Sequence, residues 1–315
     1  MDPTKQIYLD ILNRIPINQI QDHPNILVAA CFWDDDRYQA AKTCYAFMRK
    51  IDDMIDNHKA THQQIDVKDR DMFIRKVDDW LSLIKTNRIA NPFQRELISK
   101  IQLFRIPRWP IENFARSMVY DIQNDGFPTV QSFLNYSEGA TVAPSSIFVH
   151  LCGIRKVDGV WQDPLYDVKS VSTPCAVFSY LVHIIRDFQK DQLNNLSYFA
   201  DDRILANDLT RPMMRKMAEG ALLTDGFRNL MREYYLLADD YRQQTLNVLQ
   251  QISPLVEPRY YLSLLIIFNL YLMVFERIDI KDGNFTAAEL NPTPLEIYDR
   301  VYSTIIGFQN RSPNN

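Results

Sequence analysis

The sequence predicts an all-α protein, and three observations support this prediction. Hydrophobic residues recur with helical spacing wherever the chain shows a pattern, and alternating, strand-like runs are scarce. Only 8 of the 315 residues are glycine, although a parallel-sheet nucleotide binder needs glycine at its phosphate turns. Neither GxGxxG nor a GxxxxGK phosphate loop occurs in the chain. The composition therefore argues against an α/β nucleotide-binding fold.

Bulk composition narrows the class of protein further. The hydrophobic content of 46% is enough for a sizeable core. A formal net charge of -4 argues against nucleic acid as a partner, since phosphate backbones require clustered positive charge. The four cysteines form no CxxC pair, and the charged residues 1–14 do not resemble a signal peptide. We therefore expect a cytoplasmic protein that does not bind nucleic acid.

Glycine and proline punctuate the chain at six places. The predicted breaks are residues 16–24, 107–110, 126–128, 153–164, 200–212 and 281–294. No break is long or low in complexity, and no internal repeat of 20 to 50 residues is visible. One helical domain over residues 1–315 is the prediction, with residues 1–20 and 307–315 at its periphery.

Two segments of the chain have a distinctive composition. Residues 153–162 contain two glycines and mixed charge, which predicts an exposed loop. Residues 260–275 are strongly apolar, but Ser263 and Asn269 interrupt them and the stretch is shorter than the roughly 20 residues that a spanning helix needs. We therefore expect residues 260–275 to form a buried core helix.

The first acidic motif lies in residues 44–57, which contain no glycine or proline and are predicted to be helical. The spacing i, i+4, i+7, i+11 places four polar residues on one stripe of this helix: Tyr45, Arg49, Asp52 and Asp56. Carboxylates four residues apart can bind Mg²⁺, and an arginine one turn earlier can meet phosphate. A solvated acidic face is the alternative, but apolar neighbours beside the stripe favour a groove.

The second acidic motif repeats this theme in residues 178–198, which are read as one helix. Asp187 and Asp191 are spaced i, i+4, and Tyr180 and His183 project from the same side. Alone, this helix cannot be distinguished from an amphipathic surface helix. If the two motifs face each other across a bundle, however, four carboxylates concentrate enough negative charge to attract metal cations. A diphosphate bridged by Mg²⁺ is the natural ligand of such a site.

These motifs resemble the squalene and phytoene synthase family, which joins prenyl diphosphates head to head. The first signature of the family is matched by Tyr45, Ala46, Phe47, Arg49, Asp52, Asp53 and Asp56. The second is matched by Ile184, Arg186, Asp187, Asp191 and Tyr198. Two intervening segments are similar through Met118, Asp121 and Ile122, and through Tyr136, Gly139, Ala140, Thr141, Val142 and Ala143.

The resemblance implies a single-domain, class I terpenoid-synthase-like helical bundle around an apolar cavity, with Mg²⁺ as cofactor and prenyl diphosphates as substrates. It implies that metal is bound by four aspartates, Asp52, Asp56, Asp187 and Asp191. Arg49 and Arg186 would hold phosphate, and Tyr136 would lie near the reacting carbons. Three further substrate-binding candidates are Tyr45, Asp121 and Tyr198. NADPH is needed only if the product is squalene.

Three positions depart from the family pattern. His183 replaces the usual asparagine, Lys190 replaces a glutamate, and Leu196 stands where an arginine is expected. The glutamate is lost at Lys190 and the arginine at Leu196, and both losses affect how the diphosphate of the second substrate is held. These departures keep alternative functions open.

The leading hypothesis is the Mg²⁺-dependent condensation of two prenyl diphosphates, preferably farnesyl diphosphate, through a cyclopropyl diphosphate to squalene, dehydrosqualene or phytoene. One alternative is a terpene cyclase or prenyltransferase that uses a single prenyl diphosphate. Another is a non-catalytic helical assembly protein of the same fold. Peripheral membrane contact is compatible with an oily product, and the sequence does not specify an oligomeric state.

Overall fold

The computed structural model describes residues 3–18, 25–62, 65–89 and 91–308. The helices of this part of the chain are α1 (Pro3–Leu12), α2 (Asn25–Ala30), α3 (Asp35–Thr61), α4 (Val67–Lys85), α5 (Pro92–Leu103), α6 (Trp109–Gln123), α7 (Val130–Ser137), α8 (Ala143–Gly153), α9 (Val168–Arg186), α10 (Phe188–Leu193), α11 (Asp201–Ala206), α12 (Arg211–Ala218), α13 (Asp225–Ile252), α14 (Pro258–Phe275), α15 (Ala287–Leu290) and α16 (Pro294–Gly307). The all-α prediction is therefore confirmed.

The exception to the helical pattern is a hairpin in residues 153–162, which the sequence predicted to be a loop. Strands β1 (Arg155–Val157) and β2 (Val160–Gln162) pair antiparallel, with Val157 opposite Val160. The two turn residues, Asp158 (φ 49°) and Gly159 (φ 81°), both adopt the left-handed conformation that a tight two-residue hairpin turn requires. The strands are largely exposed, as expected of this segment, and are too short to show an alternating pattern.

The core of the bundle is built around α9, which packs against α8, α13 and α14. The apolar segment 260–275 forms most of α14, and Leu262, Ile266 and Leu270 on that helix are buried. Within the described residues, α9 and α14 are long and apolar enough to cross a membrane, yet 56% of each stretch is buried inside the protein. The prediction that residues 260–275 form a core helix is confirmed.

Three sequence-based boundaries were wrong. Residues 178–198 are not one helix, because α9 ends at Arg186 and α10 ends at Leu193. Asn195 then takes a left-handed conformation (φ 59°), which asparagine tolerates at the end of a helix. The predicted breaks 200–212 and 281–294 contain the short helices α11 and α15. Part of the predicted break 16–24, residues 19–24, lies outside the described residues.

A π-helical turn, Glu138–Val142, joins α7 to α8. Pro144 has no backbone N–H, so the carbonyl of Ala140 lacks its usual helical donor four residues later. The N–H of Ala143 instead donates to the carbonyl of Glu138, five residues earlier. The helical irregularity therefore lies one turn before Pro144. Such turns widen a helix and often occur at functional sites.

Gly139, in this π-helical turn, lies against α6, and its replacement tests that packing. A Cβ atom at Gly139 would lie 2.1 Å from the carbonyl oxygen of Asn113 and 2.2 Å from Oγ of Ser117. The variant Gly139→Ala is therefore expected to lower the free energy of unfolding by about 1–3 kcal/mol. Urea denaturation would measure this loss.

Gly307→Ala is the matched control for this prediction. Gly307 ends α16, and a Cβ atom there would meet no other atom within 4 Å. This substitution should leave stability unchanged or raise it by up to about 1 kcal/mol, because alanine restricts the unfolded chain. Equal effects of the two substitutions would show that Gly139 is not tightly packed.

Candidate active site

The first acidic motif lies on α3, as predicted. Its helix begins after Asp34, whose side chain accepts a hydrogen bond from the backbone N–H of Arg37. One face of α3 packs into the core through Phe47, Met48, Ile51 and Ile55. The adjoining stripe is half-buried at Tyr45, Asp52 and Asp56. These acids therefore face the interior edge of the bundle and not open water, as the sequence predicted.

Arg49 lies on the same stripe but is half-exposed. Its Nη1 donates to Oδ2 of Asp52 at 3.0 Å, and its Nε lies 2.7 Å from Oδ1 of Asp53. Half of the Arg49 side chain is accessible to solvent, at 50%. The guanidinium therefore neutralises acids of its own helix while keeping an accessible face toward incoming ligands.

The second acidic motif spans the junction of α9 and α10. The N–H of Asp191 donates to the carbonyl of Asp187 at 2.8 Å, so the i, i+4 relation survives the break between the helices. Arg186 donates from Nε and Nη2 to the two carboxylate oxygens of Asp187, at 2.7 and 2.9 Å. His183 Nε2 lies 2.8 Å from Oδ2 of the same carboxylate. His183, a departure from the family pattern, thus helps to hold Asp187.

The two aspartate couples interact across one site. Burial raises the pKa of Asp191 well above its usual range, and the charges of Asp187 and Asp56 raise it further. Asp56 and Asp191 also contribute to the raised pKa of Tyr198, after burial as the main cause. The segment after α10 contacts α3, since Nδ2 of Asn195 lies 3.5 Å from the carbonyl oxygen of Lys59. The charge of Asp56 thus acts on Asp191, and the sharing of one metal site by the two couples stays a prediction.

An aromatic wall borders these acids. Tyr136 lies 5.0 Å from Phe127 and 6.5 Å from Tyr180, and Tyr180 lies 5.9 Å from Tyr198, measured between ring centroids. Burial and the nearby carboxylates raise the pKa of all three tyrosines, so their phenols stay neutral. Tyr180 was missing from the predicted site residues, although its spacing of seven from Asp187 places both on one face of α9.

An apolar cavity of about 90 Å³ lies behind the acids, between α8, α9, α13 and α14. Its lining includes Phe148, Val149, Ala176, Leu249, Leu264 and Ile267. Tyr271 also lines this cavity. Burial raises the pKa of Tyr271 to about 12; the positive charge of Arg186 opposes this rise, and Tyr45 adds to it. Tyr271 therefore adjoins both the apolar cavity and the polar site. A tyrosine within the apolar segment 260–275 gave no signal in the sequence.

Asp121 is paired with a residue that the sequence-based reasoning missed. Nζ of Lys59 donates to Oδ1 of Asp121 at 2.6 Å and to the carbonyl of Asn124 at 3.1 Å. Lys59 follows Asp56 by three residues and Asp52 by seven, so it continues the polar stripe of α3. The same helical spacing that selected the aspartates could have selected Lys59.

Comparison with known proteins identifies the family. The model of the squalene/phytoene synthase family matches residues 22–296, which is most of the chain. The chain belongs to the squalene/phytoene synthase family. It is therefore an enzyme of the prenyltransferase type. Among curated proteins, none matches the sequence significantly.

Two solved structures share the fold of this squalene/phytoene synthase family member. A dehydrosqualene synthase, solved in complex with a ligand, is 13% identical with a TM-score of 0.66, covering 96% of this chain and 99% of the other. The squalene synthase HpnC from Alicyclobacillus acidocaldarius is 15% identical with a TM-score of 0.64, covering 87% of this chain and 93% of the other. The predicted terpenoid-synthase-like bundle is confirmed.

The squalene/phytoene synthase family generally depends on a divalent metal and acts on prenyl diphosphates. The carboxylates of this chain fit such a metal. Burial raises the pKa of Asp52 to about 6. The positive charge of Arg49 opposes this rise, and the negative charge of Asp121 adds to it. Burial, Asp52 and Asp121 raise the pKa of Asp56 to about 8. Negative charge at Asp52, Asp56 and Asp191 thus lacks a sufficient counter-charge, which a hard cation would supply.

Asp187 fits a metal less well than the other three aspartates. Burial raises its pKa, but the hydrogen bonds from Arg186 and His183 outweigh burial and hold the pKa below its ordinary value. In the described part of the chain, no three His, Cys, Asp or Glu side chains converge as a preformed cage for a metal ion. Mg²⁺ commonly combines one or two carboxylates with substrate phosphates, so the site would be completed by the diphosphate. The four predicted metal ligands stay a prediction.

These pKa shifts predict how stability depends on pH without metal. In the unfolded chain Asp56 has a pKa of about 3.9, whereas in the folded protein it is about 8, so the folded state binds more protons between these values. The stability that protonated Asp56 contributes is therefore present at low pH and is lost as the pH rises through about 8. We expect urea denaturation in EDTA to show a free energy of unfolding that is a few kcal/mol lower at about pH 8.5 than at about pH 5.5.

Metal should remove most of this dependence, because a bound cation favours the ionised carboxylates. The control is the same pair of measurements with Mg²⁺ and pyrophosphate in place of EDTA. A metal-free protein that is equally stable at both pH values would show that the acids of α3 are not short of counter-charge.

Proposed function

We propose that this enzyme condenses two molecules of a prenyl diphosphate, preferably farnesyl diphosphate, head to head in a Mg²⁺-dependent reaction. The observation that carries the proposal is the position of Tyr271, which adjoins Arg186 and Tyr45 at the polar site and also lines the apolar cavity. A polar site for a diphosphate thus adjoins a cavity for an isoprenoid chain. This arrangement supports a substrate that has a polar and an apolar half.

The polar residues would act on the diphosphate. Asp52, Asp56 and Asp191 carry the uncompensated charge that would hold Mg²⁺, and Asp187 would complete the set of ligands. Mg²⁺ held there would neutralise the charge that develops on the departing diphosphate. Arg49, half-exposed on α3, would bind phosphate directly. Charge neutralisation on the leaving group favours cleavage of the carbon–oxygen bond.

Arg186 would contribute to phosphate binding from a fixed position. Its bidentate pair with Asp187 locks the guanidinium at the junction of α9 and α10, so the charge is preorganised when substrate arrives. Tyr198 follows a turn that α12 supports, since Arg215 Nη1 donates to the carbonyl of Gln192 at 2.6 Å. Tyr45 and Tyr198 would be further substrate-binding residues at the diphosphate.

The proposed reaction has two ionisations. The first carbon–oxygen bond breaks, the electron pair leaves with the diphosphate, and the allylic cation is attacked by the double bond of the second substrate. Loss of a proton to the released diphosphate closes a cyclopropyl diphosphate. In the second ionisation the remaining carbon–oxygen bond breaks, its electron pair leaves with the second diphosphate, and the resulting cation rearranges to a linear allylic cation. Loss of a proton yields dehydrosqualene or phytoene, whereas hydride from NADPH would yield squalene.

The residues at the carbon end would protect and stabilise the cations. Tyr136 and Tyr180 offer neutral aromatic faces near the carboxylates, and such faces attract a cation through the ring quadrupole. The largely apolar lining of the cavity would disfavour water, which would otherwise quench an allylic cation. Asp121 would assist substrate binding through its pair with Lys59. We also propose that residues 1–315 act as one domain with peripheral membrane contact, since the product is an oil.

The direct test is to incubate the purified protein and Mg²⁺ with farnesyl or geranylgeranyl diphosphate, with and without NADPH, and to identify the products by mass. A C30 or C40 hydrocarbon is the expected product, and its saturation reports whether NADPH is used. A single C15 or C20 cyclic product would instead establish the terpene cyclase alternative. Absence of diphosphate release from the folded protein would reject both.

A further inference from the structure

The pair of Lys59 and Asp121 is the most deeply buried ion pair beside the proposed site. The Lys59 and Asp121 side chains are 6% and 14% accessible to solvent. Lysine is almost never buried without a charged partner, because desolvating an ammonium is costly. Two of its three N–H donors are used by Asp121 and by the carbonyl of Asn124. The chain therefore maintains a fixed positive charge inside the bundle.

This fixed charge lies next to the aspartates of α3. Asp121 is close enough to raise the pKa of both Asp52 and Asp56, and Lys59 lowers the pKa of Asp56. Without Lys59, Asp121 would be a further buried carboxylate beside the first couple. An uncompensated carboxylate in that position would share in any divalent cation bound there.

We propose that Lys59 is a positioning residue that acts as a permanent cation for Asp121 and keeps this carboxylate out of metal binding. The inference rests on the proposed function, since it concerns the metal and diphosphate of that site. Asp121 then affects the substrate through Lys59 and not as a metal ligand. Divalent cations at α3 are left to Asp52 and Asp56, where the diphosphate can complete their coordination.

The test is a binding measurement that needs no turnover. Isothermal titration of Mn²⁺ in the presence of inorganic pyrophosphate compares the wild type with Lys59→Gln, Asp121→Asn and the double variant. We expect Lys59→Gln to bind Mn²⁺ roughly tenfold more tightly or at an additional site, because Asp121 becomes available. Adding Lys59→Gln to Asp121→Asn should give no such gain. Lys50→Gln, an exposed lysine on the same helix, is the control and should match the wild type.

Two results would overturn the proposal. One is an unchanged Mn²⁺ isotherm for folded Lys59→Gln. The other is an equal gain in the Asp121→Asn background, which would reflect the loss of a positive charge alone. If Lys59→Gln is unfolded without metal, recovery of a cooperative unfolding transition on adding Mn²⁺ supports the proposal, and failure to recover contradicts it.

This inference and the proposed function can fail separately. Product formation by the wild type together with an unchanged Lys59→Gln isotherm would reject only the role of Lys59. A wild type that binds no Mn²⁺ with pyrophosphate would reject the proposed function itself.

Discussion

Asp56→Asn is expected to reduce kcat/KM for diphosphate release by roughly 100- to 1,000-fold, the usual cost of removing one group that stabilises charge on a leaving group. Asparagine keeps the shape of the side chain but supplies no negative charge to hold Mg²⁺. Stability should change in the opposite direction. The pKa of Asp56 is raised to about 8, so the ionised carboxylate destabilises the metal-free protein, and its removal should stabilise that protein near pH 8.5.

Loss of activity together with retained stability would distinguish a functional role of Asp56 from a purely structural one. Release of pyrophosphate and urea denaturation in EDTA measure the two effects. Asp36→Asn is the matched control, because Asp36 is an exposed aspartate at the start of α3, far from the stripe. It should retain activity within about threefold, as surface substitutions usually change little. A similar loss in both variants would argue against a special role for Asp56.

Arg186→Gln is expected to have the largest effect on stability. The side chains of Arg186 and Asp187 are 18% and 9% accessible, and the substitution would leave a buried carboxylate with only His183 as its partner. Breaking a buried pair from one side costs about 3–5 kcal/mol. We expect a loss of that size in urea denaturation, together with a large loss of diphosphate release because a preorganised phosphate ligand is gone.

Arg105→Gln is the control for this second prediction. Arg105 also pairs in a bidentate manner, with Asp163 at 3.0 and 3.3 Å, but the two side chains are 54% and 61% accessible. The same pair geometry in solvent contributes little, so the midpoint of urea unfolding should be almost unchanged. A large effect at Arg105, or a small one at Arg186, would contradict the view that burial makes the Arg186–Asp187 pair important.

The fold class could be predicted because helical periodicity is a local signal. The stripe on α3 is one example, since the absence of helix breakers in residues 44–57 and a fixed residue spacing were sufficient to place Tyr45, Asp52 and Asp56 on one face. The apolar segment that forms α14 is another. In both, the short-range pattern and the tertiary packing agree.

The boundaries that failed depend on residues distant in sequence or on single backbone conformations. Asp187 ends α9 with φ −92° and ψ 8°, and its carboxylate is held by Arg186 and His183 of the preceding turn. The hairpin after α8 consists of two three-residue strands around an Asp–Gly turn. Such short strands give no periodic signal. Tertiary hydrogen bonds and left-handed residues decided these regions.

The residues of the candidate site could be selected from the sequence, and their electrostatics could not. Spacing and family resemblance selected the aspartates, but neither showed that Asp187 is tied up by Arg186 while Asp56 and Asp191 lack counter-charge. The pairing of Lys59 with Asp121 was missed because Asp121 lies on α6, and only folding brings the two side chains together. Charge balance in a buried site depends on such partners, which a linear sequence does not reveal.

A crystal structure with Mn²⁺ and farnesyl thiodiphosphate, which resists ionisation, would test the account most directly. Anomalous scattering should place Mn²⁺ between the diphosphate and the carboxylates of Asp52, Asp56 and Asp191, with the farnesyl chain entering the cavity beside Tyr271. Metal and diphosphate bound away from these aspartates, or a prenyl chain outside the cavity, would contradict it.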